Sequence, residues 1–143
     1  LTEVHRQQRH SDGNSFDRVL GTACERLGQH LDRRFDLAEF CRRQGWGYES
    51  FRKKFKAELG ISPGQYRIRR RIDAAGEMLN RHDLSIREIA FRLGYRSPYE
   101  FSSQFKDCTG LSPLQFRNGG HRAAPAAERE DAGAKTQDWR RSK

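Results

Sequence analysis

Apolar residues recur at helical spacing through the middle of the chain, from about residue 15 to residue 118. The first such segment predicts a helix that starts at Ser15 and buries one face. Later segments keep the same spacing of three and four residues, and none shows the strict alternation of a strand. The pattern therefore predicts an all-α chain. The apolar positions of the first predicted helix are Phe16, Val19, Leu20, Ala23, Leu27 and Leu31.

Capping signals and glycines mark where the later helices begin and end. A Ser or Asp followed three residues later by Glu or Gln is typical of a capping box, which satisfies backbone N–H groups at a helix start. A glycine after the last apolar position favours the left-handed turn that ends a helix. The predicted caps are Asp36, Ser62, Ser85, Ser97 and Ser112, and the predicted end glycines are Gly45, Gly60, Gly94 and Gly110.

The helical region contains an internal repeat. Residues 51–67 and 101–117 are identical at eight of seventeen positions when they are offset by fifty. Further upstream an offset of forty-nine pairs Cys41 with Ala90. Each copy is a short helix, a glycine turn and a second helix, and the small residue lets the two helices pack closely. This arrangement is a helix-turn-helix, and a plain helical-repeat scaffold fits less well because such scaffolds normally have at least three repeats.

Phenylalanines four residues apart carry the apolar spacing of the second helix in each copy. They are Phe51 and Phe55 in the first copy and Phe101 and Phe105 in the second. We predict that all four face the core.

The charge balance favours a polyanionic partner. The 143 residues include 28 Lys or Arg against 19 Asp or Glu, a net charge of +9. Two helix-turn-helix units on a basic chain indicate DNA, because a helix fits the major groove and its first turns reach base edges. An anionic membrane surface is the second polyanion that such a charge could meet. No apolar run approaches the roughly 20 residues that a membrane helix needs. With the helix-turn-helix repeat favouring DNA, we predict no membrane partner.

The chain carries no pattern typical of an active site. The cysteines Cys24, Cys41 and Cys108 are far apart and odd in number, which argues against a zinc site and a disulfide framework. Neither a phosphate-binding glycine loop nor a nucleophile elbow is present. We predict no catalytic residues, no metal, no cofactor and no enzymatic activity. We also predict that the three thiols are reduced and that the protein is cytoplasmic.

The two ends of the sequence differ from its middle. The polar residues 1–14 predict a linker from an upstream domain. The chain starts with Leu1, and its one methionine is Met78, which favours a piece excised from a longer protein. Residues 119–143 have little to bury and predict a disordered tail, with Trp139 as its one aromatic residue. Between the ends we predict a first helix-turn-helix unit at 15–61, a linker helix at 62–81 and a second unit at 82–118.

The repeated region resembles the DNA-binding domain of the AraC/XylS family of bacterial transcription regulators. The strongest match runs from 86 to 95 as IREIAFRLGY, continues through Ser97-Pro98, and includes Thr109-Gly110-Leu111-Ser112-Pro113. The resemblance covers about 15–118. It implies a seven-helix domain in which two helix-turn-helix units are joined by a long linker helix. It also implies that recognition helices at about 48–58 and 98–108 enter successive major grooves, with their reading blocks about 10 bp apart.

The resemblance also implies which residues contact DNA. Arg and Lys can pair with guanine and Glu can accept from cytosine, whereas basic residues near helix ends meet phosphates. Ser103 stands where the family commonly has Arg, so the second helix departs from the family pattern. The implied base-facing residues are Tyr48, Glu49, Arg52, Lys53, Pro98, Tyr99, Glu100, Ser102 and Ser103. The implied phosphate-facing residues are Lys56, Arg96, Ser97 and Lys106, with Ser97 also a helix cap.

The function implied by the resemblance is sequence-specific binding of promoter or operator DNA by an activator. Such a protein acts beside RNA polymerase and carries an upstream regulatory domain. The alternative is a nonspecific or architectural nucleic-acid binder, which the weak readers of the second unit would allow. A DNA-repair methyltransferase with a related domain is a third class, but it would need a cysteine ligand cluster that this chain lacks.

The two copies differ in charge, which predicts unequal contributions to DNA affinity. Residues 42–71 hold ten Lys or Arg and two Glu, a net charge of +8, whereas 85–117 hold five basic and three acidic residues, a net charge of +2. The alternative for the arginines at 67–71 is that they flank the linker helix and face water.

We expect Arg52→Gln with Lys53→Gln to weaken DNA binding more than alanine at Tyr99 and Ser103. Each phosphate contact contributes about 0.9 to the salt dependence of binding, and the first unit has the larger positive charge. A titration of both double variants at one fixed salt concentration checks this. Equal losses would contradict the unequal contribution.

Overall fold

A computed structural model describes the backbone of residues 2–119 and the side chains of residues 13–119. Within this part of the chain the protein consists of seven α helices and no strands, which confirms the predicted all-α, seven-helix fold. The predicted disordered tail, apart from Gly119, and Trp139 lie outside the described residues. The helices are α1 (Thr2–Gly28), α2 (Leu37–Arg43), α3 (Tyr48–Leu59), α4 (Pro63–Asn80), α5 (Ile86–Arg92), α6 (Pro98–Thr109) and α7 (Pro113–Arg117).

Helix α1 begins well before the predicted start. The prediction of a cap at Ser15 is wrong, because the backbone is already helical from Thr2. Glu, Gln and Arg in the first ten residues are good helix formers, and one interior glycine costs a helix only about 1 kcal/mol. The turn-like Ser11-Asp12-Gly13-Asn14 therefore does not stop the helix. A link from this segment to an upstream domain stays a prediction.

The other helix starts follow the predicted capping signals. The Oδ1 of Asp36 accepts a hydrogen bond from the backbone N–H of Glu39 at 3.0 Å. Reciprocal capping boxes form at the starts of α4, α5 and α7. In each, the Ser hydroxyl accepts from the backbone N–H of the third helical residue, and the side chain of that residue accepts from the Ser backbone N–H. At α5, hydrogen bonding to Ser85 holds the pKa of Glu88 below its ordinary value.

The chain divides into two compact units, and the division falls inside α4. The first unit contains residues up to His30 and from Arg34 to Arg67. The second contains Leu31–Arg33 and the described chain from Ile68 onward. Each unit has its own apolar core.

Aromatic rings fill the core of the first unit. Phe51 and Phe55 of α3 are fully buried, as predicted, with ring centroids 5.9 Å apart. Phe16 of α1 packs edge-on against Trp46 at 5.2 Å. Cys41 is also fully buried, in agreement with the need for a small residue where the second helix crosses the first. Burial of this many rings stabilises α3 against α1 and α2.

The second unit repeats this packing with its own phenylalanines. Phe101 and Phe105 of α6 are fully buried, as predicted. The ring of Phe105 meets Phe116 edge-on at 5.3 Å, as that of Phe55 meets Tyr66 at 5.8 Å in the first unit. The sequence repeat is therefore also a repeat of core geometry.

An arginine shared by the two copies stabilises the helix end before each helix-turn-helix. Arg67 donates to the carbonyl oxygens of Leu27 at 2.9 Å and His30 at 3.0 Å, at the end of α1. Arg117 donates to the carbonyls of Leu79 and Leu84, at and beyond the end of α4. Carbonyls at a helix end lack intrahelical partners and carry partial negative charge, so a guanidinium stabilises them. Arg67 therefore does not merely face water.

The glycine turn of the second unit lies against another backbone segment. Gly94 has a φ of +77°, and a Cβ at this position would lie 2.6 Å from the carbonyl oxygen of Asp32. Gly110, in the same unit, has a φ of +80° with no atom within 4 Å of such a Cβ. The two positions therefore share backbone strain but differ in crowding.

We expect Gly94→Ala to lower the free energy of unfolding more than Gly110→Ala does. A left-handed alanine costs about 1 to 2 kcal/mol at either site, and crowding of the Asp32 backbone adds about 1 to 3 kcal/mol at Gly94 alone. Urea denaturation followed by helical circular dichroism measures both variants. Equal destabilisation would show that the close approach to Asp32 contributes nothing.

Candidate nucleic-acid interface

Helix α3 exposes a polar face opposite its buried phenylalanines. The turn before it closes with a hydrogen bond from the Trp46 N–H to the Cys41 carbonyl at 2.9 Å, and Gly60 ends the helix in the left-handed conformation. Because Phe51 and Phe55 occupy the core side, most of the other positions face water. The exposed residues include the predicted DNA contacts Tyr48, Glu49, Arg52, Lys53 and Lys56.

Three of these predicted contacts lie against one another. The guanidinium carbon of Arg52 lies 5.6 Å from the centre of the Tyr48 ring. An Arg52 amino group is 3.6 Å from a carboxylate oxygen of Glu49. Such exposed pairs contribute little to stability. They do orient the guanidinium on the exposed face, where it remains available to an acceptor such as a guanine edge.

Helix α6 begins with a tightly hydrogen-bonded turn. Ser97 is the predicted cap, and its hydroxyl accepts from the Glu100 N–H at 3.1 Å. The Glu100 carboxylate turns back and accepts from the Arg96 N–H at 3.0 Å. Pro98 occupies the first helical position, where its missing N–H costs nothing. The start of the helix is thereby held by side chains that were predicted to contact DNA.

The predicted base-facing residues of α6 differ in exposure. Tyr99 is 85% exposed, and Pro98, Glu100 and Ser103 are also exposed. Ser102 is half-buried. The largest group that α6 offers to a partner is thus an aromatic ring, whereas α3 offers Arg52 and two lysines.

The predicted phosphate contacts lie at the ends of the same helices. Lys56 and Lys106 are exposed in the last turns of α3 and α6, at equivalent positions of the repeat. Arg96 is exposed just before α6, and Ser97 is half-buried. Exposed cations beside a recognition helix are suited to the DNA backbone.

Several basic residues of the charge count are engaged elsewhere. Arg42 and Arg43 both bind the carboxylate of Glu39, at 2.7 and 2.9 Å, and these bonds hold the pKa of Glu39 below its ordinary value. The ammonium of Lys54 lies 4.4 Å from the centre of the Phe16 ring. The net charge of +8 over 42–71 leaves out Glu39 and includes these three engaged cations, so the free positive charge of the first unit is smaller than +8.

A partly buried hydrogen bond joins α6 to the turn before it and was not among the sequence predictions. The Tyr95 hydroxyl donates to the Gln104 side-chain oxygen at 2.5 Å, and the Arg71 guanidinium lies 5.3 Å from the Tyr95 ring centre. Arg71 also donates to the Leu31 carbonyl at 3.2 Å, so it does not merely face water. Burial raises the pKa of Tyr95 to about 12, so its hydroxyl remains a hydrogen-bond donor even a little above pH 10. No periodicity or capping signal in the sequence pairs Tyr95 with Gln104.

The surroundings of all three cysteines disfavour the thiolate, which is the form that attacks electrophiles and binds metals. Burial raises the pKa of Cys108 to about 11 and also raises the pKa of Cys24 and of Cys41. Among the side chains from 13 to 119, no three His, Cys, Asp or Glu groups come together as metal ligands would. The helices of the described region include none with the length and apolar character to cross a membrane.

Two helix-turn-helix units with exposed second helices define the class of protein, and comparison with known proteins defines the family. A family model described as a helix-turn-helix domain matches residues 40–119, more than half of the chain. The arabinose operon regulatory protein of Escherichia coli K12 is 32% identical over 105 residues, which cover 73% of this chain and 36% of that protein. The chain belongs to the AraC/XylS family of transcription regulators.

Two further similar proteins are informative. A protein of Mannheimia succiniciproducens named HTH-type transcriptional activator RhaR is 30% identical over 112 residues, which cover 78% of this chain and 41% of that protein. The DNA-binding domain of AdpA, a global transcriptional factor solved with a target DNA, is 29% identical. The match covers 78% of this chain and 96% of the AdpA chain, with a TM-score of 0.60. The chain spans 37 to 41% of the length of the first curated relatives that it matches.

We expect Lys56→Gln and Lys106→Gln each to reduce the salt dependence of DNA binding. Loss of one phosphate contact lowers the slope of log K against log salt by about 0.9. Binding isotherms over a range of salt concentrations measure the slope. Arg81→Gln is the matched control, because Arg81 is an exposed cation outside both recognition helices, 3.4 Å from Asp83. An unchanged slope in the lysine variants, or an equal fall in the control, would contradict the phosphate role.

Proposed function

We propose that this chain is the sequence-specific, double-stranded DNA-binding part of a bacterial transcription regulator. The observation that carries the proposal is the paired arrangement of α3 and α6. Each buries two phenylalanines and exposes the opposite face of a helix that follows a glycine turn. The similarity to the AdpA domain solved with DNA supports the same function here.

The two helices act as readers of base edges in successive major grooves. Arg52 and Lys53 of α3 donate to guanine O6 and N7, and Glu49 either accepts from cytosine or keeps Arg52 in place. Lys56, Arg96 and Lys106 contact phosphates and set the register of each helix on the duplex. The proposed function needs no catalytic residue and no cofactor. It is a binding function in the cytoplasm, where bacterial DNA lies.

The curated relatives are longer than this domain. The chain spans about two fifths of its curated relatives, one of which is named a transcriptional activator. We therefore propose an activator in which an upstream regulatory domain controls DNA binding and the bound domain acts beside RNA polymerase.

A nonspecific or architectural DNA-binding role is the second candidate. The observation in its favour is the composition of α6, whose exposed positions include Ser103 where Arg is common in the family. Serine can hydrogen-bond to any base pair and so discriminates weakly. The two candidates differ in the ratio of specific to nonspecific affinity.

We expect selection from a randomised duplex of about 25 bp at physiological salt to enrich two short motifs about 10 bp apart. That spacing reflects two recognition helices that reach the same face of the duplex one helical turn apart. Sequencing of the bound fraction identifies the motifs. One motif alone would mean that a single unit reads sequence. Binding without enrichment, lost as salt rises, would favour the nonspecific role.

A further inference from the structure

The exposed face of α6 is mainly apolar at the positions that would meet base edges first. Pro98 and Tyr99 occupy the first two helical positions, and the N-terminal residues of a recognition helix contact bases. The Tyr99 ring is 85% exposed. Where α6 has Ser102 and Ser103, the equivalent positions of α3 hold the exposed cations Arg52 and Lys53. The two recognition helices thus offer different chemistry on the same scaffold.

Glu100 is engaged at the start of its own helix. One carboxylate oxygen accepts from the Arg96 N–H at 3.0 Å, and the Glu100 N–H donates to the Ser97 hydroxyl at 3.1 Å. Contact with the exocyclic amine of cytosine would require the carboxylate to leave the turn it closes. Glu100 is therefore placed to hold the start of α6, which leaves Tyr99 as the largest side chain able to reach a base.

Thymine is the base whose major-groove edge suits an aromatic ring. Its C5-methyl group is the one apolar feature that the four base pairs present in the major groove. A ring exposed on the free protein gains by covering such a methyl, because both surfaces leave water. Guanine and adenine offer hydrogen-bond acceptors and donors that a ring face does not match.

We infer that the second helix-turn-helix unit recognises a thymine through its 5-methyl group, which packs against the Tyr99 ring, while Glu100 positions the start of α6. The inference rests on the proposed function, since it names the base read by one of the two units. The polar side chains of α6 alone predict weak discrimination between base pairs. The inference assigns a thymine to the part of the binding site that this second unit reads.

The test removes single methyl groups from the DNA. Each thymine of the selected binding site is replaced in turn by deoxyuridine, which differs from thymine only in lacking the 5-methyl group. Affinities of the full chain are measured by fluorescence anisotropy at one salt concentration. One replacement should weaken wild-type binding about fourfold, the value expected for burial of one methyl group. The same replacement should have no effect on Tyr99→Ala.

Matched variants separate the ring from other causes. Tyr99→Phe keeps the ring and should keep the fourfold effect, whereas loss of the effect in this variant would assign it to the hydroxyl and overturn the inference. Phe91→Ala removes an aromatic residue of α5 that is 81% exposed, and it should also keep the effect. Circular dichroism establishes that each variant is folded, as expected for side chains outside both cores.

A further variant tests the role given to Glu100. Glu100→Gln retains a side-chain oxygen that can accept from the Arg96 N–H, so the selected motif should not change. Loss of a cytosine preference in this variant would make Glu100 a reader and would contradict its positioning role.

The outcomes distinguish failure of this inference from failure of the proposed function. A bound, enriched motif with no thymine whose methyl effect depends on Tyr99 would overturn the inference and leave sequence-specific binding intact. Absence of any enriched motif would instead reject sequence-specific binding, and the thymine contact with it.

Discussion

Each recognition helix buries two phenylalanines four residues apart, and this burial separates the core face of the helix from its solvent-exposed face. Phe51 and Phe55, and their counterparts Phe101 and Phe105, are fully buried. Four residues is slightly more than one helical turn, so each pair lies along one stripe and commits that stripe to the core. The opposite stripe then faces solvent whatever residues it carries. The scaffold and the surface that would read DNA are therefore set by different positions of the same helix.

This separation explains how one unit can be duplicated and then diverge. The two copies share the phenylalanine pair, the left-handed glycine at the end of the helix and the arginine that binds carbonyls at the preceding helix end. All of these act within the fold. The exposed residues differ, with Arg52 and Lys53 in one copy and Ser102 and Ser103 in the other. Two copies that read the same bases would recognise only a repeated site, whereas diverged copies recognise a composite one.

Charge is used more selectively than the composition indicates. Arg67, Arg71 and Arg117 bind backbone carbonyls, Arg42 and Arg43 bind Glu39, and Lys54 lies over Phe16. Long side chains of this kind can cover apolar surface or satisfy a helix end while still adding to the net charge. The cations left on the exposed faces of α3 and α6 are fewer than a count along the chain gives. Affinity for DNA would therefore depend on a small set of them.

Periodicity, capping pairs and glycines act over a few residues, and they are enough to predict the all-α fold, the two helix-turn-helix copies and most helix boundaries. The sequence also selected the exposed faces of α3 and α6, since that follows from the phenylalanine spacing. Local rules misplaced the start of α1, where good helix formers outweigh one glycine. Two contacts appear only in the folded chain: the Tyr95 hydroxyl donates to Gln104, and Gly94 lies against Asp32. These contacts depend on side-chain direction and on segments distant in the chain, which no local pattern specifies.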